Sequence, residues 1–517
     1  DGTDLYWARA RVLEQLQQRQ GQLPAGVHPA LGPDATGAGW VFEYALVDRG
    51  QRQSLADLRD LQQWYLRYQL ETVPGVAEVA TIGGFQREYQ VELNPQKLRS
   101  YGISLATVLE KVRDSTGEVG GGALELSGAR YMVQGLGNIA SIAELEQVPL
   151  AVRDGVPIEV QDVATVGFAP ALRDGAAEWN GEGEAVVGIV IMREGGSALA
   201  VIRGVKAKLA ALRGALPRGV EVETAYDRSG LIEDSIATLR RDLIVEMIVV
   251  SLVIIVFLFH FRSALIPIIT LPIALAATFL PMRYLHISSN IMSLGGLALA
   301  IGVLTDAAIV MVENGCRHLA ACETPPSPAE RQGLLLRAAA QVGPALFYSL
   351  LIIVVSFLPV FLLEAQSGRM FRPLAWTKTL SVSFASLLAI TLVPALMLLL
   401  IRGRVPRERD NPVMRASEAV YRPLLRWCLR HPGWTLAFNL IFLAATLPLG
   451  TRLGSEFMPP LYEGAALYMP TSLPGLGITP AVGLLQQQDR ILRAFPEVAS
   501  VFGTVGRSDS ATDNAPL

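Results

Sequence analysis

The sequence predicts a polytopic α-helical membrane domain set between α/β domains. Three observations predict it. Apolar runs long enough to cross a bilayer recur from Leu243 to about Gly450, the flanking stretches alternate between strand and helix patterns, and arginines crowd into alternate loops. Of the 517 residues, 51% are hydrophobic and 18% charged, but that average conceals ordinary mixed sequence on either side of a strongly apolar middle. A net charge of −3, with no basic stripe interleaved with aromatics, argues against a nucleic-acid partner. The chain opens without a Met or a signal-like segment, inside an amphipathic pattern (Leu5, Ala8, Val12, Leu13, Leu16), so it is expected to be a piece of a longer protein.

Residues 1–240 form the first outer region. Strands are expected at Trp40–Val47, Val76–Gly83, Glu88–Leu93, Glu184–Met192 and Gly219–Ala225, with helices over Ser54–Glu71 and Ala198–Leu212 between them. Strand–helix–strand order of this kind predicts compact α/β sandwiches. A second set, Ser104–Arg113, Tyr131–Gly135 and Pro157–Gly167, reads as an inserted subdomain.

Residues 241–401 hold five expected spans: Leu243–Phe261, Ala264–Met282, Ile291–Val312, Pro344–Leu363 and Leu380–Ile401. Only Arg262 and Ser263 separate the first two, predicting a tight hairpin. Irregular backbone is not tolerated against lipid, so Pro267, Pro272, Pro359 and Pro394 are expected to kink helices, not end them. Residues 402–433 carry Val413, Ala416, Ala419, Val420, Leu424 and Leu425 among arginines, the pattern of an amphipathic helix on a membrane surface; a plain charged linker is the alternative. A last span covers Trp434–Gly450, and residues 451–517 begin a second outer region. Arg262, Arg317, Arg331, Arg337 and the arginines of 402–430 fall in one set of loops, which is therefore expected to be cytoplasmic. Both outer regions then share the opposite, periplasmic side. A short echo links them: Val73-Pro74-Gly75-Val76-Ala77-Glu78-Val79 and Phe495-Pro496-Glu497-Val498-Ala499-Ser500-Val501 each follow a helix and lead into an expected strand, as in transporters built from repeated halves.

Asp306 is the residue that points to chemistry. It lies two turns inside the Glu313 end of the third span, roughly 10 Å deep at helical rise. A carboxylate there costs roughly 2.5–3.5 kcal/mol unless it meets other helices or water. Gly295, Gly296, Ala298, Ala300, Gly302, Ala307 and Ala308 would let neighbouring helices come close. A carboxyl that gains and loses a proton inside a bundle is the chemistry of a proton relay; a structural acid bonded to a neighbouring helix is the alternative. Glu313 reads as a solvated helix end, and Lys378, at the start of the fifth span, as a snorkelling side chain. Cys316, Cys322 and Cys428 provide no disulfide framework, and the Cys316–Cys322 spacing fits no metal-ligand motif. No nucleophile–base set, phosphate loop or zinc-hydrolase spacing is present, so an enzyme is not expected and no cofactor is implied.

The run from Asn290 to Asn314, with Asp306-Ala307-Ala308-Ile309-Val310-Met311-Val312-Glu313-Asn314 at its core, resembles the fourth transmembrane helix of heavy-metal exporters of the resistance–nodulation–division superfamily. Asp1-Gly2-Thr3-Asp4-Leu5-Tyr6-Trp7, Glu88-Tyr89-Gln90-Val91, Val342-Gly343-Pro344 and Leu374-Ala375-Trp376-Thr377-Lys378 resemble further landmarks of that family. The resemblance implies an incomplete form of its architecture, with ferredoxin-like βαβ porter subdomains outside the membrane. It also implies a proton-driven inner-membrane pump, usually a homotrimer joined through a periplasmic adaptor to an outer-membrane channel. Asp306 would be the proton-relay aspartate, with its usual partners on later helices. The first membrane helix and most of the second half would lie outside this chain.

Tyr468-Met469-Pro470 followed by Leu473-Pro474-Gly475 resembles the copper(I)/silver branch, which implies Met469 as a cleft ligand and Glu463 as a cleft acid. A thioether is a soft donor that suits Cu(I)-like ions; a packed apolar Met is the alternative. Met292, Met311 and Met397 match a methionine relay through the membrane, whereas Leu304 and Val382 stand where methionines are expected and Thr305 replaces an apolar residue. The leading expectation is thus Cu(I) or Ag(I) efflux, the ion being cargo. Its rivals are a divalent exporter for zinc, cobalt or cadmium, a non-transporting relative such as an accessory or receptor, and a fragment without function.

Overall fold

The structure is a computed structural model that describes residues 3–513 apart from 25–26, 118, 136, 286, 323–325, 403–404, 406–410, 451, 453, 455–463 and 473–474. The chain forms two compact units, Asp1–Ser229 with Leu467–Leu517, and Gly230–Ala466.

The first unit opens with α1 (Leu5–Arg19), tied to the following loop where Arg9 donates to the carbonyls of Gly32 and Pro33. Then come β1 (Trp40–Asp48), α2 (Leu55–Leu61), a π-turn at Gln62–Leu66, α3 (Arg67–Glu71) and β2 (Val76–Ile82). A long insertion follows: β3 (Arg87–Leu93), α4 (Pro95–Tyr101), α5 (Leu105–Asp114), β4 (Val119–Leu126), β5 (Ala129–Gly135), α6 (Ile142–Glu146), β6 (Pro149–Arg153), β7 (Val156–Glu159), α7 (Val160–Val163) and β8 (Ala164–Pro170). The chain returns through β9 (Gly175–Trp179), β10 (Gly183–Met192), α8 (Ala198–Leu212) and β11 (Val220–Asp227).

Antiparallel pairing sets β11, β1, β10 and β2 side by side in that order. With the helices of the two crossovers, β1–α2/α3–β2 and β10–α8–β11, packed together, this is the ferredoxin-like arrangement, with the insertion between β2 and β10. Leu58, Leu66, Leu70, Val201, Ile202 and Val205 from the helices close on Phe42, Tyr44, Leu46, Val79, Val186 and Val190 from the sheet. Tyr44 lies across Gly188, where a Cβ would sit 2.3 Å from its ring, and its hydroxyl donates to Gln62 Oε1 at 2.8 Å. A buried phenol is thereby satisfied and the sheet pinned to the π-turn. The insertion has its own core around Val108, Leu145, Val160 and Val163. Within Pro157–Gly167, β7 and β8 are separated by α7, where Asp162 accepts the Glu159 N–H at 2.8 Å and caps a helical turn.

The helical unit contains α9 (Arg228–Leu258, which starts just before the unit boundary), α10 (Phe261–Tyr284), α11 (Ile291–Ala320), α12 (Pro328–Ser356), a 3₁₀ stretch at Leu358–Leu362, α13 (Ala365–Leu400), α14 (Pro412–Arg430) and α15 (Pro432–Gly450). Five described helical segments are long and apolar enough to cross a membrane, at Phe261–Tyr284, Ile291–Ala320, Pro328–Leu362, Met370–Leu400 and Pro432–Gly450. The sixth expected run, on α9, is not among them. Three local expectations change. The first hairpin turns at Phe259, with φ of 46°, and His260, so Arg262 and Ser263 belong to the first turn of α10. Pro359 does not kink a continuing α-helix: α12 ends at Ser356 and the chain tightens to 3₁₀ around it. Lys378 lies well inside α13, its ammonium 3.8 Å from the centre of the Phe357 ring. The other expected kinks, Pro267, Pro272 and Pro394, do sit within helices.

α13 packs against α10, α11 and α12. Its most extensive contact is with α11, where two glycines admit it closely. A Cβ on Gly296 would lie 2.1 Å from Thr377 Oγ1, and one on Gly315 would lie 2.0 Å from Met397 Cε. Gly295 and Gly302, also expected to serve close packing, face open space. α14 and α15 pack on each other, and no residue of α15 is buried.

The remainder of the first unit follows the helical unit in sequence: α16 (Ile478–Arg493) and β12 (Phe502–Gly506). β12 pairs antiparallel with β9, so the sheet runs β11-β1-β10-β9-β12 with β2 also on β10. The strand expected from Val498 begins only at Phe502, because Val501 is still making a side-chain bond, its N–H donating to Asn180 Oδ1 at 2.9 Å. Further on, Asp509 accepts the Thr81 N–H, Ser510 donates to Glu78 and Trp40 donates to Thr512, stitching the segment to β1 and β2.

Replacing Gly296 by Leu should destabilise the helical unit by about 1–3 kcal/mol through overpacking, whereas Gly295→Leu should leave it nearly unchanged. Thermal unfolding of the two variants in detergent compares them. Equal melting temperatures would refute the α11–α13 packing described.

Candidate functional site

α11 starts at a capping box, Asn290 Oδ1 accepting from Ser293 N and Ser293 Oγ accepting from Asn290 N, and then runs unbroken to Ala320. Ala300, Ile301, Leu304, Thr305, Ala307, Ala308, Met311 and Val312 face inward and are buried. At 100° per residue this leaves Leu299, Gly302, Asp306 and Val310 on the opposite stripe, and all four are exposed. Within this chain Asp306 therefore lies on the face of α11 that the described helices leave open. Its neighbour Thr305 turns inward and returns its hydroxyl to the Gly302 carbonyl at 2.9 Å. Among the described residues no charged group stands beside Asp306. What the fold supplies is placement: the Gly296 and Gly315 contacts fix α11 on both sides of the acid. Glu313 pairs with Arg317 at 3.0 Å on an exposed turn, the solvated end expected of it.

The three membrane methionines separate into two places. Met311 and Met397 are fully buried in one cluster with Val312, Val393 and Ile401, and Met397 fills the space that Gly315 leaves. Met292 lies near the start of α11, about 28 Å from Met311 along the helix. Leu304 and Val382 are packed apolar residues of two other clusters. Met469 is 77% exposed in a stretch without regular structure. Glu463 lies outside the described residues.

One polar constellation was not foreseen. His260 Nδ1 lies 2.7 Å from Ser263 Oγ, which lies 3.1 Å from Cys316 Sγ, joining the start of α10 to the end of α11. Beside it Asn411, the N-cap of α14, donates to the carbonyls of Val256 and Phe257 and caps the end of α9. These contacts gather the Arg262, Arg317 and α14 segments at one end of the helical unit, as the loop charges require. Cys322 has a different partner, the His318 carbonyl, so the two thiols do not pair. Sequence spacing alone holds no signal for a contact between residues this far apart. Among the described residues no group of three His, Cys, Asp or Glu side chains forms a metal site.

The chain matches the sequence profile of the AcrB/AcrD/AcrF family over residues 1–517. It is 49% identical to the cation efflux system protein CusA of Escherichia coli K12, over all of this chain and 50% of that protein. It is 47% identical to the putative cation efflux system protein SilA of Salmonella typhimurium, again over all of this chain and 50% of the relative. Identity to the cobalt-zinc-cadmium resistance protein CzcA of Cupriavidus metallidurans is 36%, over all of this chain and 49% of the relative. A crystal structure of a heavy metal efflux pump superposes with a TM-score of 0.82 at 27% identity, over 99% of this chain and 49% of the pump. The chain therefore spans about half the length of the curated relatives it matches.

A Ser263→Cys variant should form a disulfide with Cys316 under mild oxidation, since the two side-chain tips already touch. Mass spectrometry of the unreduced peptides identifies the bond. Cross-linking of Cys316 to Cys322 instead would contradict this arrangement.

Proposed function

The chain belongs to the AcrB/AcrD/AcrF family, and we propose on that premise that it is part of a proton-driven pump that exports Cu(I) or Ag(I) across the cell envelope. The single observation that carries this reading is Asp306 on a helix held rigidly by α13, within a chain alike along its whole length to cation efflux proteins. The greater identity to CusA and SilA than to CzcA favours the monovalent soft ions over zinc, cobalt and cadmium. Chemistry points the same way, because a thioether such as that of Met469 prefers such ions.

In this reading Asp306 takes a proton from the outer side and releases it inward, and the exposed stripe of α11 is the face it presents to a neighbouring helix or a water path. A carboxyl exposed to hydrocarbon would cost roughly 2.5–3.5 kcal/mol, so protein or water on that face is what makes the position tenable. Met469 and Glu463 would contribute to metal capture outside the membrane. Met311 and Met397, buried in one cluster, would be a soft site along a membrane route, and Met292 a separate one. The pump is a transporter, not an enzyme, and resides in the inner membrane. It works as a homotrimer with a periplasmic adaptor and an outer-membrane channel, and needs no bound cofactor besides its cargo. The boundaries of its parts, with residues 1–240 and 451–517 outside the membrane and 402–433 along its inner surface, follow the same reading.

Asp306→Asn in the full-length protein should reduce copper and silver tolerance of a pump-deficient host to that of the empty strain, with unchanged protein level. Met469→Leu should lower copper and silver tolerance severalfold. Growth on graded metal measures both. Wild-type tolerance with Asn at position 306 would rule out the proton role, and a Met469→Leu defect confined to zinc would reassign the cargo.

A further inference from the structure

The first unit contains a pair of acids with no role in the reading above. Glu178, on β9, and Asp489, on α16, are both buried, with relative exposures of 0% and 3%. Glu178 accepts two backbone N–H groups from the turn that follows it, Gly181 N to Oε2 at 2.8 Å and Gly183 N to Oε1 at 3.0 Å. Both its oxygens are thus engaged by backbone donors, whose positive ends repel a cation. Gly503 of β12 is the register partner of Glu178, and Asp489 lies over that glycine with its Oδ2 enclosed and without a hydrogen-bond partner. The enclosure comes from β12: a Cβ on Gly503 would lie 2.3 Å from Oδ2 and 2.8 Å from Leu485 Cδ1. Two ionised carboxylates are acceptors only, so a proton on one of them is what would give the enclosed oxygen a partner.

We propose that Glu178 and Asp489 form a proton-binding site, in which one shared proton fastens α16 and β12 to β9. The ligand is a proton and not a metal ion, because the N–H groups on Glu178 occupy the positions a cation would need. The site stands apart from the transport reading and does not depend on it. No cation on the packed elements substitutes for the proton. Arg490 of α16 donates to the Gly181 carbonyl and Arg493 to the Val498 carbonyl. Glu184 of β10 is paired with Arg173, Glu182 in the turn is exposed, and β12 carries no titratable side chain. Burial, followed by the hydrogen bond and charge of Glu178, pushes the Asp489 carboxyl up to about 8.

The sign follows from linkage. Between the ordinary aspartate value of 3.8 and the raised one, the folded pair holds a proton that the unfolded chain has released. Stability is full below that window and falls as pH rises through it. Glu43 on β1, pushed by burial to about 7, adds a slope of its own to any global melting curve, so the readout must be local.

Hydrogen exchange of the Phe502–Gly506 amides in the full chain, corrected for intrinsic rates, supplies that readout. Protection should fall by up to about tenfold per pH unit between about pH 5 and about pH 8, the limit for one proton, and then level off. Asp489→Asn keeps a donor toward Glu178 without titrating, so its protection should be independent of pH; Glu178→Gln should behave alike by donating to Asp489. A flat wild-type curve, or an undiminished slope in a folded variant, overturns the proposal. Should neither variant fold, the wild-type curve alone decides.

Discussion

The approach of α11 to α13 is the constraint on which the helical unit depends. In hydrocarbon there is no hydrophobic force to press helices together, so association rests on close packing and a few polar contacts. Gly296 and Gly315 supply that closeness by omission, giving their space to Thr377 and to Met397. Thr377 satisfies its own hydroxyl on the Pro373 and Leu374 carbonyls, so the near contact costs no orphaned polar group. Because both glycines lie on the inward face, the outward face is fixed too, and with it the direction of Asp306. The His260–Ser263–Cys316 chain adds a polar tie at one end of the same helices.

The first unit rests on a different logic. Its ferredoxin-like core is closed by ordinary apolar burial between α2, α3, α8 and the sheet. The later segment joins through strand pairing, the packing of Phe502 and a set of polar contacts: Asn180 with Val501, Arg490 with Gly181, Asp509 with Thr81 and Ser510 with Glu78. Such bonds are directional and specify register, whereas each contributes only about 0.5–1.5 kcal/mol net. The attachment of α16 and β12 is therefore specific without being as heavily buried as the core it extends.

Periodicity makes most of the elements legible in the sequence. The strands at Trp40, Val76, Glu184 and Gly219, the α8 helix and the long apolar helices all fall close to where alternation or apolar length places them. What escaped detection involves partners distant in sequence. That Asp306 faces away from its own helical neighbours depends on which side of α11 the glycines expose to α13, and both sides of that helix are rich in small residues. The α7 turn rests on a local cap, the Asp162 carboxylate on the Glu159 N–H. The split between Gly296, which packs, and Gly295, which does not, lies in one residue of helical phase. Glu178 and Asp489 look like unremarkable surface acids until folding puts them together across more than half the chain.

The pairing of β9 with β12 has a consequence for biogenesis. The ribosome makes Gly175–Trp179 long before Phe502–Gly506, and the whole helical unit is synthesised between them. Throughout that interval β9 has an unsatisfied edge of the kind that recruits foreign strands. Closing it requires a loop of several hundred residues, a slow step by contact-order arguments. Completion of this sheet thus waits until α9 to α15 have been synthesised, so the order of the chain delays the closure of a sheet whose other strands are made early.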